Sequence, residues 1–398
     1  MNVSTGLDYG AGIVNKEIKI NFFGDFAPCR GFERVVLENG EDLLQDVLPL
    51  IENADLSFVN LECPITEADK KINKDGPALR AHPDCVNALR SFSVVGLANN
   101  HILDYGTEGL KETVDNCDKI KLPTVGAGLT LEEAQEVFVQ DCHGTKVAII
   151  AIAEHEFNQS EAGGAGSAPI DLIDNYHQIE KAKSVADVVI LTLHGGNEYF
   201  PYPRPGHRKM MQHFIDLGVD AVICHHPHVP GAYEMYKGKP IVYSLGNFIF
   251  DNAKPPKDWD LGYIAQLSFD AESKEFSSIE LIPYEQSVAL GGVKLLEGER
   301  KQHLLNRIEA YREKLESNDE WLKEWQSFVD AKTDTYIVKL LFPFAIKRGL
   351  GFLARNTPIA KLFFNRKNSL TKLNTLRCQS HRELLIASLE SRSQPRND

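Results

Sequence analysis

Three histidines fall within four residues directly after a short apolar run: ICHHPHVP covers residues 223–230 and holds His225, His226 and His228. Imidazole nitrogens bind transition metals and also act as general acids and bases near neutral pH. A cluster at the end of a buried strand therefore predicts a site of chemistry, although a chance cluster is an alternative for this stretch alone. The choice depends on what the other strand ends carry.

Four other apolar runs also end in residues that could bind a metal: Asp25, Glu62, the pair Asn100 and His101, and His194. Taken singly, such an aspartate is more often a helix cap, such a glutamate a surface charge, and such a histidine a core residue. Because all of them follow apolar runs, they predict a joint site at the carboxyl ends of a sheet. Carboxylate and imidazole donors together favour Zn, Mn or Fe(II) over Ca.

The apolar runs alternate with amphipathic stretches, and short Val- and Ile-rich runs are typical of strands buried on both faces. The pattern predicts an α/β protein with a largely parallel sheet, followed by an antiparallel hairpin at residues 262–270 and 276–286. Strands are predicted at residues 17–26, 54–62, 93–101, 145–155, 187–196, 220–226 and 239–250. Helices are predicted at residues 41–54, 108–120, 175–186 and 208–218.

The order of these residues resembles the calcineurin-like metallophosphoesterase superfamily, and within it the CapA family of capsule and poly-γ-glutamate synthesis proteins. The likeness covers about residues 17–285 and implies a four-layer α/β/β/α sandwich that binds one or two divalent ions. It is carried by GDFAP (24–28), NLECPIT (60–66), ANNHILDYG (98–106), HGGNEY (194–199), HHPHVP (225–230) and YSLGNFIFD (243–251).

Carried over residue by residue, the resemblance implies that Asp25 binds one metal and that Glu62 bridges two, since a carboxylate has two oxygens to share. His225 stands where the superfamily has a glycine, so it is interpreted as a neighbour of the site. Ala27 stands where a further histidine ligand is usual, and one metal would therefore be held less tightly. The other implied ligands are Asn100, His194, His226 and His228.

By the same resemblance, His101 faces the substrate, where it stabilises charge or protonates a leaving oxygen. Asp104 is placed to orient His101 through its other ring nitrogen, and a helix cap is the alternative. Arg204 and His207 are candidate contacts for a phosphate or carboxylate, and Asn247 is a further candidate at the site. The alternative for Arg204 is a loop arginine exposed to solvent. The alternative for Asn247 is a simple turn.

Charge is unevenly spread along the 398 residues. The net charge of −13 argues against nucleic-acid binding, but residues 331–398 carry 13 Lys/Arg against 4 Asp/Glu. The sequence predicts a domain at residues 1–294 and a helical, basic extension at 295–398. Segment 342–367 mixes aromatic and basic residues, so it predicts either peripheral contact with an anionic membrane or a helical cap docked on the domain.

The seven cysteines form no CxxC pair, which favours reduced thiols, and no signal peptide or apolar run of about 18 residues is recognised. A cytoplasmic protein is expected, and peripheral contact with a membrane through the C-terminal segment is the alternative. The function predicted is metal-dependent hydrolysis of a phosphoester or polymer linkage in capsule or poly-γ-glutamate formation. The alternatives are a non-hydrolytic factor that binds an anionic polymer in a synthesis or export complex, and a structural metal protein.

Overall fold

The computed structural model describes residues 17–74, 76–159 and 164–341, together with Lys372 and Leu376. The chain divides into two compact units, residues 1–322 and 323–398. The basic segment 342–367 lies outside the described residues, so its contact with a membrane stays a prediction. The boundary expected at 294/295 also stays a prediction, and the helix that follows it belongs to the first unit.

The described strands are, in chain order, β1 (Glu17–Ala27), β2 (Leu56–Leu61), β3 (Val94–Gly96), β4 (Thr124–Val125), β5 (Ala127–Gly128), β6 (Phe138–Cys142), β7 (Thr145–Ala153), β8 (Gly166–Ser167), β9 (Val188–His194), β10 (Ala221–His225), β11 (Tyr233–Tyr236), β12 (Lys239–Val242), β13 (Asn247–Phe250), β14 (Leu261–Asp270), β15 (Phe276–Ser287) and β16 (Gly292–Leu295). The α-helices are α1 (Gly31–Asn39), α2 (Leu48–Glu52), α3 (Gly106–Lys119), α4 (Leu131–Ala134), α5 (Leu172–Val185), α6 (Pro205–Asp216), α7 (Gly298–Glu316) and α8 (Asn318–Leu341). Two 3₁₀ helices cover Gly40–Leu44 and Pro83–Leu89.

The first sheet is built around β1. On one side β2, β3 and β4 follow in parallel, and on the other β14, β15 and β16 continue in antiparallel fashion. The predicted hairpin is confirmed as β14 and β15. β13 pairs in parallel with the last residues of β1, which sets Asp25 opposite Asn247.

The second sheet has the order β11, β12, β10, β9, β7 and β6. Its four central strands are parallel, and β11 and β6 close its edges in antiparallel pairing. The carboxyl ends of β9 and β10 lie side by side, with His194 opposite His225. Because parallel neighbours end at the same edge, the second sheet delivers its histidines to one place.

The two sheets face each other across an apolar layer. Ile18, Ile20 and Phe22 of β1 meet Ile149, Ile190 and Ile223 of the second sheet in one buried cluster. A second cluster lies between the first sheet and helices α1 and α3, while α5 and α6 pack on the outer side of the second sheet. The predicted four-layer α/β/β/α sandwich is therefore confirmed.

Two sequence-based elements were wrong in detail. Residues 239–250 form two strands in different sheets, and the chain crosses between the sheets at residues 243–246, where Gly246 has a φ of 80°. The helix expected at 41–54 is a 3₁₀ turn followed by the short α2, which begins at Leu48 with Pro49 in its first turn. The crossing matters for function because it carries Asn247 to the end of β1.

Helix α7 is part of the core of the first unit. Its residues Leu304 and Ile308 are buried in the cluster between the sheets. No helix in the described ranges is long and apolar enough to cross a membrane. The six cysteines that the structure describes are buried free thiols, as the sequence predicted: Cys29, Cys63, Cys85, Cys117, Cys142 and Cys224.

Candidate metal centre

The polar residues at the strand ends meet where the two sheets adjoin. Asp25 lies near the end of β1 and Glu62 directly after β2, while Asn100 follows β3 and His194 ends β9. All of the predicted ligands are buried, with exposed fractions of 9% or less. Their ligand atoms form two overlapping groups, each within 4.8 Å, which are Asp25, Glu62 and His194, and Glu62, His226 and His228.

Glu62 belongs to both groups. It is fully buried, and neither carboxylate oxygen has a hydrogen-bond partner in the described part of the chain. Oε1 lies 3.6 Å from Nε2 of His194 and 3.6 Å from Nε2 of His228. Burial, and then the charge of Asp25, raise the pKa of Glu62 well above its ordinary value. A buried carboxylate without donors is costly unless a cation compensates it, so this arrangement fits a metal-bridging role.

Asp25 is held from two sides. Oδ1 accepts a hydrogen bond from Nδ2 of Asn60 at 2.7 Å, and Oδ2 accepts one from the backbone N–H of His226 at 3.1 Å. Burial alone would raise the pKa of Asp25, but the ring of His228, whose Nδ1 lies 3.5 Å from Oδ2, and the other neighbouring imidazoles hold it below its ordinary value. The carboxylate is therefore ionised and ready to bind a cation.

A bulge in β1 aims Asp25 at the site. The register with β2 shifts between Phe23 and Asp25, and the N–H of Asp25 donates to the carbonyl oxygen of Gly246 at 3.1 Å. A Cβ added at Gly24 would stand 2.0 Å from that same oxygen. Only glycine allows the crossing segment to approach β1 this closely.

His194 contacts two of the other candidate ligands. Its Nε2 lies 3.1 Å from Oδ1 of Asn100 and 3.1 Å from Nδ1 of His226. Burial and the neighbouring imidazole lower the pKa of His194, and burial and His228 lower that of His226. Both rings are therefore neutral near pH 7, the form in which imidazole binds metal.

The three histidines of the cluster have different surroundings. His225 stays in β10, where Nε2 donates to the carbonyl oxygen of Phe23 at 3.1 Å. His226 and His228 leave the strand with φ angles of 98° and 59°, a left-handed conformation that is strained for side-chain-bearing residues. In this conformation a ring nitrogen of each histidine lies close to the Glu62 carboxylate. Pro227 separates the two histidines in the chain.

Among the described residues, His101 has one acidic partner, Asp104. Its Nδ1 lies 2.7 Å from Oδ2 of Asp104, whose side chain is fully buried. Helix α3 begins at Gly106 and receives no side-chain cap bond, so Asp104 does not serve as its cap. Burial lowers the pKa of His101, and Asp104 opposes that shift.

The three predicted substrate contacts have protein partners. Arg204 is ion-paired with Glu154, and Nδ1 of the buried His207 lies 3.6 Å from the same carboxylate. Asn247 is fully buried, and its Oδ1 accepts from Nδ1 of His228 at 2.9 Å. Contact of these residues with a substrate stays a prediction.

Three residues at the site were not singled out from the sequence. Asn60 bonds Asp25 and lies 3.1 Å from Nδ1 of His194, and its signal was an amide inside an apolar strand. Glu156 accepts from Nδ2 of Asn100 at 3.3 Å. Lys74 contacts the Asp104 carboxylate, and it stands in the sequence near Lys70 and Lys71 with no pattern that separates it from them.

The protein is thus a four-layer α/β/β/α sandwich. Its candidate metal centre is formed by the buried carboxylate, amide and imidazole side chains at the strand ends. The family model described as bacterial capsule synthesis protein PGA_cap matches residues 19–252. The chain belongs to that family. The predicted resemblance to the capsule and poly-γ-glutamate synthesis proteins is confirmed.

Two similar proteins, both named CapA, come from species of Bacillus. The PGA biosynthesis protein CapA of Bacillus subtilis is 33% identical over 246 residues, 59% of this chain and 63% of that protein. The capsule biosynthesis protein CapA of Bacillus anthracis is 32% identical over 251 residues, 60% of this chain and 61% of that protein. The chain thus spans about three fifths of the length of the curated relatives it matches.

Solved structures show more distant likenesses. A phosphatase from Mycoplasma pneumoniae has a TM-score of 0.45 at 15% identity and covers 73% of this chain and 98% of its own. A calcineurin-like phosphoesterase from Bacillus subtilis has a TM-score of 0.39 at 17% identity, with 74% and 98% covered. Nothing about the chemistry of this chain follows from scores of this size.

Proposed function

We propose that this protein is a metal-dependent hydrolase that acts on a phosphoester or polymer linkage during capsule or poly-γ-glutamate formation. The observation that carries the proposal is Glu62, a fully buried carboxylate without donors, between Nε2 of His194 and Nε2 of His228. A structural role for Glu62 would require hydrogen-bond donors. The names of the two bacillus relatives support the biosynthetic setting.

The donor set fits one or two divalent ions of the Zn, Mn or Fe(II) type. The ligand atoms of Asp25, Glu62 and His194 would hold one ion, and those of Glu62, His226 and His228 would hold the other, so Glu62 would contact both. Asn100 lies beside His194 as a further donor. A bound ion of this kind supplies a water of lowered pKa and a Lewis acid for the attacked phosphorus or carbonyl. Ala27, buried beside this set, offers no donor, which supports weaker retention of the ion at Asp25.

The residues of the chain then have separate tasks. Asp25 accepts from Asn60 and from the His226 backbone, which fixes its carboxylate before any ligand arrives. With Nδ1–H of His101 donating to Asp104, Nε2 is the ring nitrogen left to face the substrate, where it accepts a proton in the neutral ring and protonates a leaving oxygen only when the ring carries a second proton. A preformed site of this kind lowers the entropy cost of reaching the reactive geometry.

The weaker alternative is a non-hydrolytic factor that binds an anionic polymer and serves a synthesis or export complex. The donor-free position of Ala27 favours it, because a loosely held ion activates water less well. Both proposals place the same residues around a metal. They differ in whether His101 is needed.

The deciding experiment is metal analysis of the purified chain, followed by hydrolysis of p-nitrophenyl phosphate, its diester and poly-γ-glutamate with added Mn, Zn or Fe(II). We expect near-stoichiometric metal that is lost in Glu62→Gln and retained in the exposed control Glu52→Gln. The kcat should fall by about 10²- to 10⁴-fold in His101→Ala, to a low but measurable rate, and should be retained in the exposed control His177→Ala. Metal without turnover on any substrate would favour the binding factor, and absence of metal would overturn both proposals.

A further inference from the structure

Lys74 is a buried lysine in a segment without regular structure. Its side chain is 4% exposed, although the described part of segment 67–80 contains no helix or strand. Lysine is almost never this buried unless its charge is paired. Here the ammonium is ion-paired with Oδ1 of Asp104 and lies 3.4 Å from the carbonyl oxygen of Asn100 and 3.3 Å from Nδ1 of His101.

Asp104 is the common partner of this segment and of His101. Oδ1 receives Lys74, while Oδ2 accepts from the backbone N–H of Leu79 at 2.6 Å and lies 2.7 Å from Nδ1 of His101. The backbone oxygen of Asp104 also accepts from the N–H of Ile72 at 2.9 Å. Segment 67–80 is therefore attached to the His101 turn mainly through one fully buried aspartate.

These contacts leave Lys74 little capacity for a substrate. An ammonium has three donors, and its surroundings are Asp104, the Asn100 carbonyl and the His101 ring. Removing the lysine would leave the Asp104 carboxylate buried with an unbalanced charge, so this carboxylate would turn away or draw more strongly on His101. Either response would change the orientation of the imidazole.

We propose that Lys74 is a positioning residue that sets the orientation of His101 by sharing the Asp104 carboxylate with it. The inference rests on the proposed function, in which His101 contacts the substrate. Lys74 itself touches neither substrate nor metal. Its role is to hold the carboxylate so that Oδ2 remains in line with Nδ1 of His101, which keeps Nε2 pointed in a constant direction.

The test compares Lys74→Met with Lys74→Arg and with Lys71→Met, an exposed lysine of the same segment. With p-nitrophenyl phosphate as the probe, we expect Lys74→Met to lower kcat by about tenfold or more, with KM changed by less than about twofold. Lys74→Arg should recover most of the loss, and Lys71→Met should equal the wild type. If Lys74→Met does not fold, Lys74→Gln takes its place.

A double variant separates action through His101 from independent action. In the His101→Ala background, Lys74→Met should lower kcat by less than about twofold further, because the residue through which it acts is gone. A full additional loss there, or a rise in KM with kcat unchanged, would overturn the proposal in favour of an independent or substrate-binding role.

A spectroscopic measurement keeps the inference testable whatever the turnover. The ring nitrogen resonances of His101, assigned by their loss in His101→Ala, should shift in Lys74→Met and stay constant in Lys71→Met. Unchanged His101 resonances would overturn the positioning role. A wild-type protein without hydrolysis but with shifted resonances would overturn the proposed function alone.

Discussion

Nδ1 of His228 donates a hydrogen bond to Oδ1 of Asn247 over 2.9 Å, and this contact links the two sheets at the candidate metal centre. His228 follows β10 of the second sheet, whereas Asn247 begins β13 of the first sheet. The amide also donates to the carbonyl oxygens of His228 and Trp259 at 3.3 and 3.1 Å. Since Nδ1 is occupied, Nε2 is the nitrogen of His228 that faces Glu62 and is free to bind metal.

Replacement of Asn247 should therefore weaken metal binding without touching a ligand. We expect Asn247→Leu to lower the affinity for Zn or Mn by about 10- to 100-fold, because the His228 ring loses its acceptor. Asn247→Asp keeps an acceptor at Nδ1 and should retain most of the affinity, even though the lost amide donors lower the stability of the fold. Calorimetric titration of the chelator-treated protein measures both, and equal affinities in the two variants would contradict this role of Asn247.

Gly24 offers a test of the bulge that aims Asp25. Gly24→Ala should lower the free energy of unfolding by about 3 kcal/mol or more and impair metal binding, because the new Cβ would meet the oxygen of Gly246. The matched control is Gly206→Ala in α6, where a Cβ meets nothing within 4 Å. That change should be neutral or stabilise by up to about 1 kcal/mol. Chemical unfolding of both variants would show no difference if the close approach were unimportant.

The α/β class and the parallel strands were predictable because local patterns determine them, whereas the four-layer arrangement was implied by the family resemblance. Short Val- and Ile-rich runs between amphipathic stretches indicated parallel strands and covering helices, and both were found. The path of residues 239–250 was not predictable, since an apolar run looks the same whether it stays in one sheet or crosses to another. The crossing depends on Gly246 and on the space left by Gly24, which only the folded pairing reveals.

The choice of His226 and His228 over His225 came from the family resemblance, whereas the strand-end positions of the candidate ligands were predictable from the sequence. Their supporting contacts were not. Lys74 lies in a loop among exposed lysines, and Glu156 is an exposed loop residue that reaches Asn100 only through the fold. Contacts between residues so far apart in the chain produce no recognisable spacing in the sequence.

Glu154 should contribute stability that depends on pH. Burial would raise its pKa, but the His207 ring, whose Nδ1 lies 3.6 Å away, and the charge of Arg204 lower the pKa to about 2, from an ordinary 4.5. A lowered pKa in the folded state adds stability above pH 4.5 that is lost as the pH falls towards 2. Glu154→Gln should therefore cost on the order of 1–3 kcal/mol at pH 7 and less at pH 3.

Urea unfolding at the two pH values measures this difference. The surface change Glu180→Gln, which removes an exposed pair with Lys183, is the control and should cost within about 0.5 kcal/mol at both. A cost for Glu154→Gln that stays constant with pH would exclude the ion pair as its source.

Glu62 should couple metal binding to proton release. Because its pKa is raised in the ion-free site, a proton competes with the metal, and affinity should fall by up to about tenfold for each pH unit below that pKa. Titration calorimetry in buffers of different ionisation enthalpy should show protons released on binding. In Glu62→Gln, binding should be lost.

The same carboxylate makes a prediction for the metal-free fold. A raised pKa means that stability is lost as the pH rises through the folded-state pKa, since the charged form is disfavoured by burial. In chelator, Glu62→Gln should therefore be at least as stable as the wild type at pH 8, and metal should stabilise only the wild type. If Glu62→Gln were much less stable than the wild type in chelator, the Glu62 carboxylate would be accepting hydrogen bonds that stabilise the fold. The bridging role would then be wrong.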